Sequence, residues 1–394
     1  MRSILAAILA ALTLCALSAC GAQEQPETPA PAEPAPVQEP EEIPPAPTAE
    51  ELAAQVVEDL LSSMTLEEKV GQVFFVRCPA ENAVEDVAAY HLGGYILFGR
   101  DTKDKTANEL IQTIQHYQDA ASVPLLIGVD EEGGTVVRLS SNPHLRSEKF
   151  ASPQKLFAKG GLDAVTADTR EKDVLLHALG FNVNLAPVAD VSTDPADFIY
   201  SRAFGQDDAA TADYVSAVTA QMRADTMGSV LKHFPGYGSN TDTHTGIALD
   251  DRPYEDFVNG DFLPFLSGMA AGGDKTAVLV SHNIVECMDP DLPASLSPAV
   301  HDILRNHLSF DGVVMTDDLA MDAVSAYAQD GAVAVMALQA GNDLVLTTDY
   351  RAQIPKVLEA VENGTLEEDV IDAACRRVLR WKQALGLLPT EPDA

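Results

Sequence analysis

Short apolar runs separated by longer helical stretches recur along most of this chain. Eight of them have strand character: Val73–Val76, Gly94–Phe98, Pro124–Asp130, Asn182–Pro187, Val230–His233, Ala277–His282, Gly312–Asp317 and Leu344–Thr347. They are mostly apolar at consecutive positions rather than alternating, as strands covered on both faces are. Helical candidates fill most of the gaps, for example Thr106–Ala121 and Tyr254–Ala271, and a closing helix is predicted around Val370–Leu385. Eight β-runs alternating with helices predict an α/β fold, a (β/α)8 barrel of the TIM type, as a single domain over residues 49–394. A doubly wound open sheet is the alternative, and it requires two of the runs to be misread.

The first residues follow a different pattern. Arg2 supplies a positive start, Ile4 to Leu17 a short apolar core, and Leu17-Ser18-Ala19-Cys20 resembles a lipobox. That resemblance implies a lipoprotein signal peptide over 1–20, cleaved before Cys20, with lipid on the Cys20 sulfur. The apolar stretch is short for a membrane span, and an ordinary secretory signal with an incidental cysteine is the other reading. Residues 21–48 are rich in Pro, Glu, Ala and Gln with almost no aliphatic anchor. Such a segment buries too little apolar surface to offset its ordering entropy, and its prolines keep it extended, which suits a disordered tether. The formal net charge of -35 argues against nucleic acid, whose phosphates need lysine and arginine. It argues equally against adhesion to anionic lipid, leaving the N-terminal lipid as the membrane contact. Beyond Cys15 and Cys20, the remaining cysteines are Cys78, Cys287 and Cys375. Three thiols make no disulfide framework, and buried free thiols are the expectation. No C-x-x-C or H-E-x-x-H motif marks a metal site.

The chemistry-bearing residues cluster where the β-runs end. The densest cluster is Lys232-His233-Phe234-Pro235-Gly236-Tyr237-Gly238-Ser239-Asn240-Thr241-Asp242-Thr243-His244. Asp242 and His244 stand two apart, so in an extended segment they point to the same side. A carboxylate beside an imidazole raises its pKa and fixes its tautomer, which suits a proton donor near neutral pH. A solvated turn with a chance Asp-His pair is the plainer reading of that dyad. Asp317 directly follows the seventh run and precedes Asp318; the first of such a pair can face a pocket while the second caps the next helix. Asp130 ends the third run, before Glu131-Glu132-Gly133-Gly134, whose glycines allow a tight turn, and Arg138 follows. Arg138 reads equally as one half of a surface ion pair. Arg202 lies in Tyr200-Ser201-Arg202-Ala203-Phe204-Gly205, while His282 and Asp190 can line a pocket or belong to core and loop.

The Lys232–His244 run resembles the signature of glycoside hydrolase family 3, in particular its β-N-acetylglucosaminidase branch. K-H-F-P-G is intact, Tyr237 occupies the variable position, and the D-x-H dyad lies one residue closer to the lysine than in the commonest spacing. The resemblance implies a barrel with Asp317 as nucleophile and His244, oriented by Asp242, as acid and base. It implies that Asp130, Arg138, Arg202, Lys232 and His233 hold the sugar; Thr135 stands where the family usually has arginine. Many members carry a second α/β domain that supplies the acid; only the closing helix follows the eighth run here, so the donor is expected from the barrel. The implied activity is that of a retaining, exo-acting β-N-acetylhexosaminidase, without metal or organic cofactor. Its substrate would be a terminal, non-reducing N-acetylglucosamine of peptidoglycan- or chitin-derived glycans. The expected setting is cell-wall turnover by a lipid-anchored monomer on the extracytoplasmic face of the cell membrane. A β-glucosidase, a glycoside phosphorylase and a non-catalytic sugar-binding lipoprotein are the alternatives.

Overall fold

The computed structural model describes residues 46–240, 248–325, 327 and 332–392. Cys20 and the signal, nearly all of the proline-rich segment, and the Asp242–His244 pair lie outside the described residues.

All eight runs are strands of one sheet: Phe74–Arg77, Gly94–Leu97, Leu126–Val129, Val183–Asn184, Gly228–Phe234, Thr276–Val280, Val314–Thr316 and Val345–Thr347. The first seven pair in parallel in chain order, and the first also pairs with the eighth, Phe74 opposite Val345. The seam between the seventh and eighth strands closes through a parallel bridge, Met315 to Leu344, with the Thr316 amide donating to the Leu344 carbonyl at 3.1 Å. The sheet is therefore the expected barrel, not the open alternative.

The consecutive apolar positions have two destinations. Phe75, Ile96, Leu126, Val230, Leu279, Met315 and Leu346 fill the barrel interior. Their neighbours Phe74, Val76, Leu97, Ile127, Leu231 and Val345 face the helices outside. Interiors this dense leave no slack: a Cβ on Gly128 would lie 2.5 Å from Cζ of Phe75. The closing helix, Glu368–Ala384, contributes Val378 and Trp381 to the interior cluster, joined by Leu385 at its end. Leu385 packs over Gly228, the first residue of the fifth strand, so this helix covers the amino-terminal end of the barrel and leaves the carboxyl end open for a site. Helix starts carry their own signals. Thr48, Thr65 and Thr106 each form a capping box with the glutamate three residues on, satisfying two end amides reciprocally.

Two expectations need correction. The helix expected over Tyr254–Ala271 is interrupted by a π turn at Phe257–Asp261 before continuing as Phe262–Gly272. The wider turn lets Phe257, Asp261, Phe262 and Phe265 all face inward. Cys78 and Cys375 are buried free thiols, pushed up by burial to about 11 and about 12, but Cys287 is exposed. Among the described residues, no helix is long and apolar enough to cross a membrane.

Asp173, in the Pro153–Leu179 helical segment after its break at Gly160–Gly161, is fully buried beside the Asp225 carboxylate. Burial, then the nearby Asp225 carboxylate, push its pKa up to about 8. An unfolded aspartate titrates near 3.9, so the fold favours the protonated form, and its stability falls as pH rises from about 4 to about 8. Asp173→Asn, which carries no charge at either pH, is expected to gain stability over wild type as pH rises. The gain at pH 8 should exceed that at pH 5 by on the order of 3 kcal/mol, read from urea midpoints at the two pH values. Equal effects at both would contradict this.

Candidate active site

The carboxyl ends of the strands place the candidate residues around one opening. Asp130 directly follows the third strand, Lys232 and His233 close the fifth, and Asp317 directly follows the seventh. Register slips between the fifth and sixth strands from Leu231 to Phe234. At such an irregularity a strand can re-aim its side chains, and here Lys232 and His233, consecutive in sequence, join the same polar cluster.

That cluster is a chain of alternating charges. Lys232 Nζ lies 2.7 Å from Asp130 Oδ1 and 2.7 Å from Glu132 Oε1. Glu132 in turn accepts a two-pronged bond from Arg202, Nε to Oε2 at 3.0 Å and Nη2 to Oε1 at 2.8 Å. Arg138 Nη2 stands 4.0 Å from the other oxygen of Asp130, so Arg138 does form an ion pair, but with a residue of the site. Burial alone would raise the Glu132 pKa, but the Lys232 and Arg202 charges overturn this and hold it well below the usual carboxylate range. Burial alone would lower the Lys232 pKa, but Asp130 and then Glu132 raise it above the ordinary lysine value. Buried charges persist only when paired this closely.

Asp190 follows the fourth strand and is buried. It accepts from His233 Nδ1 at 2.7 Å, from the His233 amide at 3.1 Å and from the Tyr237 amide at 2.8 Å. Arg202 Nη2 lies 3.2 Å from His233 Nε2. Donor and acceptor logic therefore assigns the ring proton to Nδ1 and the lone pair to Nε2. The Arg202 turn is itself pinned by Gln154 Nε2, which donates to the Tyr200 and Ala203 carbonyls at 2.7 and 3.1 Å. Gly236 has φ +127°, and a Cβ there would fall 2.2 Å from Asp261 Oδ1, so the turn after the fifth strand needs glycine twice over.

Asp317 is half-buried, and its Oδ1 accepts from the Asp318 amide at 2.8 Å. Asp318 does not cap a helix as expected. Its carboxylate accepts from the Thr348 amide at 3.1 Å and the Thr348 hydroxyl at 2.8 Å, fastening the turn that bears Asp317 to the end of the eighth strand. The described residues on either side of 241–247 are tied together: Asn240 donates to Asp250 at 2.9 Å, and Arg252 binds both Asp250 and Asp261 at 2.8 Å.

The model for the N-terminal domain of glycosyl hydrolase family 3 matches residues 65–381, spanning the whole barrel. The chain belongs to glycosyl hydrolase family 3. It is 32% identical to the β-hexosaminidase LpqI of Mycobacterium tuberculosis over 314 residues, 77% of this chain and 79% of that protein. It is 32% identical to a β-hexosaminidase of Xanthomonas campestris pv. campestris strain B100 over 304 residues, 76% of this chain and 90% of the relative. Its fold superposes on the family 3 β-N-acetylglucosaminidase of Paenibacillus sp. str. FPU-7 with a TM-score of 0.76 at 30% identity, covering 82% of this chain but 63% of that longer one. On the M. tuberculosis LpqI structure the TM-score is 0.74 at 29% identity, covering 82% and 95%.

Within this family 3 barrel, the structure gathers Asp130, Arg138, Arg202, Lys232 and His233 into one bonded cluster. It also shows residues that the sequence reading passed over or left open. Glu132 joins the two buried cations, and Asp190 orients His233. Glu131, fully buried, accepts from the Arg138 and Leu139 amides at 2.8 Å each and from the Ser140 hydroxyl, so it shapes the loop that presents Arg138. The exposed Thr135 sits at the tip of that loop. His282 is not a pocket residue; it is fully buried, bonded to Ser295 Oγ at 2.7 Å and to the Asp318 carbonyl at 3.1 Å. The Asp130–Glu132 spacing of two, just after a strand, was the available signal for Glu132, since such residues share a side. A cavity of about 940 Å³ opens elsewhere, between the Ala49–Ser63 helix and the closing helix, lined by Val57, Leu266, Arg377 and Trp381 among others; none of the described candidate site residues borders it.

Proposed function

We propose that this chain is a retaining, exo-acting β-N-acetylhexosaminidase that releases terminal, non-reducing N-acetylglucosamine from peptidoglycan- or chitin-derived glycans. The observation that carries the reading is the bonded cluster of Asp130, Arg138, Arg202, Lys232 and His233 at the carboxyl end of a family 3 barrel. Relatives named β-hexosaminidase and β-N-acetylglucosaminidase support the sugar assignment.

Asp130, an acceptor with an oxygen turned toward Arg138, suits two neighbouring sugar hydroxyls, while Lys232 and Arg202 donate to hydroxyl oxygens. Asp317 attacks the anomeric carbon and forms a glycosyl ester as the bond to the leaving oxygen breaks. His244, charged and oriented by Asp242, gives its proton to that oxygen. It then takes a proton from the incoming water, whose oxygen displaces Asp317 from the anomeric carbon. Net retention follows from two inversions, with a histidine in place of the usual second carboxylate.

The membrane setting is also a proposal, supported by the Arg2 to Cys20 signal pattern. Lipid on Cys20 would hold the enzyme at the extracytoplasmic face, with residues 21–48 as tether. A lipidated chain partitions with membranes, so Cys20→Ser is expected to move the protein to the soluble fraction; continued membrane fractionation would overturn the anchor.

The substrate is tested by hydrolysis of an aryl β-N-acetylglucosaminide beside the matching β-glucoside, in phosphate-free buffer. A preference for the acetamido sugar of about 100-fold or more in kcat/KM is expected, the effect of polar groups satisfied by one substrate and left unpaired by the other. Preference for the glucoside would overturn the sugar assignment, and rate enhancement by added phosphate would point to phosphorolysis.

A further inference from the structure

We propose that Glu132 is a positioning residue that holds Lys232 in its charged form and aims both Lys232 and Arg202 at the substrate, without touching sugar itself. The inference rests on the glycosidase reading for its kinetic consequences and on geometry alone for the charge of Lys232.

Glu132 is closed to ligand. Its side chain is 3% exposed, Oε1 receives Lys232 Nζ and Arg202 Nη2, and Oε2 receives Arg202 Nε. Asp130 differs: its side chain is 15% exposed, and the oxygen facing Arg138 is 4.0 Å from that guanidinium, which leaves it room to accept from a hydroxyl. The backbone of Glu132 is held from the other side, where Lys172 Nζ donates to its carbonyl at 3.4 Å and pairs with Asp168 at 2.8 Å. The carboxylate is thus a fixed post between two cations from separate segments, Arg202 in the loop after the fourth strand and Lys232 in the fifth strand itself.

Lys232 is enclosed, 3% exposed. The charged groups facing it are Asp130 and Glu132, each at 2.7 Å, with Arg202 behind Glu132, Arg138 behind Asp130, and the Asp190–His233 pair beyond Arg202. An enclosed lysine without counter-ions sheds its proton. Removing the Glu132 charge takes away one of two counter-ions and also leaves Arg202 a nearby like charge without its bonded carboxylate, so both changes push Lys232 the same way. A neutral Lys232 would no longer bind Asp130 as an ion pair and would lose its full set of donors for a hydroxyl.

The test uses Glu132→Gln and Glu132→Asp in the full chain, with melting curves to show that each is folded. In protein labelled with ¹³C at lysine Cε, the Lys232 signal, assigned with Lys232→Arg, reports its titration without any sugar. In Glu132→Gln, Lys232 is expected to lose its proton at least about one pH unit below wild type, and the alkaline limb of kcat/KM is expected to move down with it. Glu132→Asp keeps the charge but is one methylene short of bridging both cations. Its alkaline limb should stay in place while KM rises about 10-fold, the effect of weakening a charge-assisted hydrogen bond. A Lys232 titration unchanged in Glu132→Gln would overturn the proposal, as would a Glu132→Asp variant with wild-type KM. If wild type turns over no β-N-acetylglucosaminide while Lys232 still shifts in Glu132→Gln, the substrate reading fails and the charge relay stands.

Discussion

A carboxylate shut away from water stays ionised when cations or other donors meet it at bonding distance, and Glu132 is the place where this barrel brings two cations to one carboxylate. Lys232 and Arg202 converge on it from separate segments, and Asp130, Arg138, His233 and Asp190 extend the chain of contacts outward. Apolar residues of the same volume would fold as well or better than such a cluster. Its position at the open end of the barrel therefore speaks for function: it gives a polyhydroxylated ligand fixed donors and acceptors whose side chains need little reorganisation on binding.

The rest of the fold serves that opening. Strands that are apolar on both faces send one set of side chains into the barrel and the other against the helices, so the sheet is rigid where the strands end. The closing helix covers the opposite end through Trp381 and Leu385. Local ties then finish the positioning: Asp318 to Thr348 beside Asp317, Glu131 to the loop of Arg138, Gln154 to the turn of Arg202. Each is a hydrogen bond that fastens a loop at the carboxyl end of the barrel, within the loop for Glu131 and from another part of the chain for Asp318 and Gln154, which orients functional groups that strand geometry alone leaves free.

The barrel was legible in the sequence because eight buried parallel strands leave eight apolar runs, and because a strand end followed by a polar residue marks the functional face. Asp130, Lys232, His233 and Asp317 were visible for that reason. Glu132 was harder to see because its spacing of two from Asp130 is a faint signal and its partners are distant; Arg202 is 70 residues away in sequence. Asp190 and His282 looked alike as polar residues after strands. Only tertiary contacts separate them: one faces His233, the other is fixed by Ser295 and a backbone carbonyl. The break in the Tyr254–Ala271 helix arises from inward packing of Phe257 and Phe262 together with Arg252 reaching Asp261, which apolar periodicity alone does not encode.

The proposed chemistry depends on Asp317 as the group that takes the sugar. The most direct measurement is to expose the enzyme to a 5-fluoro-β-N-acetylglucosaminyl fluoride, whose ring fluorine slows breakdown of a glycosyl ester, and to locate the adduct by peptide mass spectrometry. The expected result is one fluorinated N-acetylglucosaminyl group on the peptide bearing Asp317, absent from Asp317→Asn. An adduct on another carboxylate, or turnover of an aryl β-N-acetylglucosaminide with inversion at the anomeric carbon, would contradict the account.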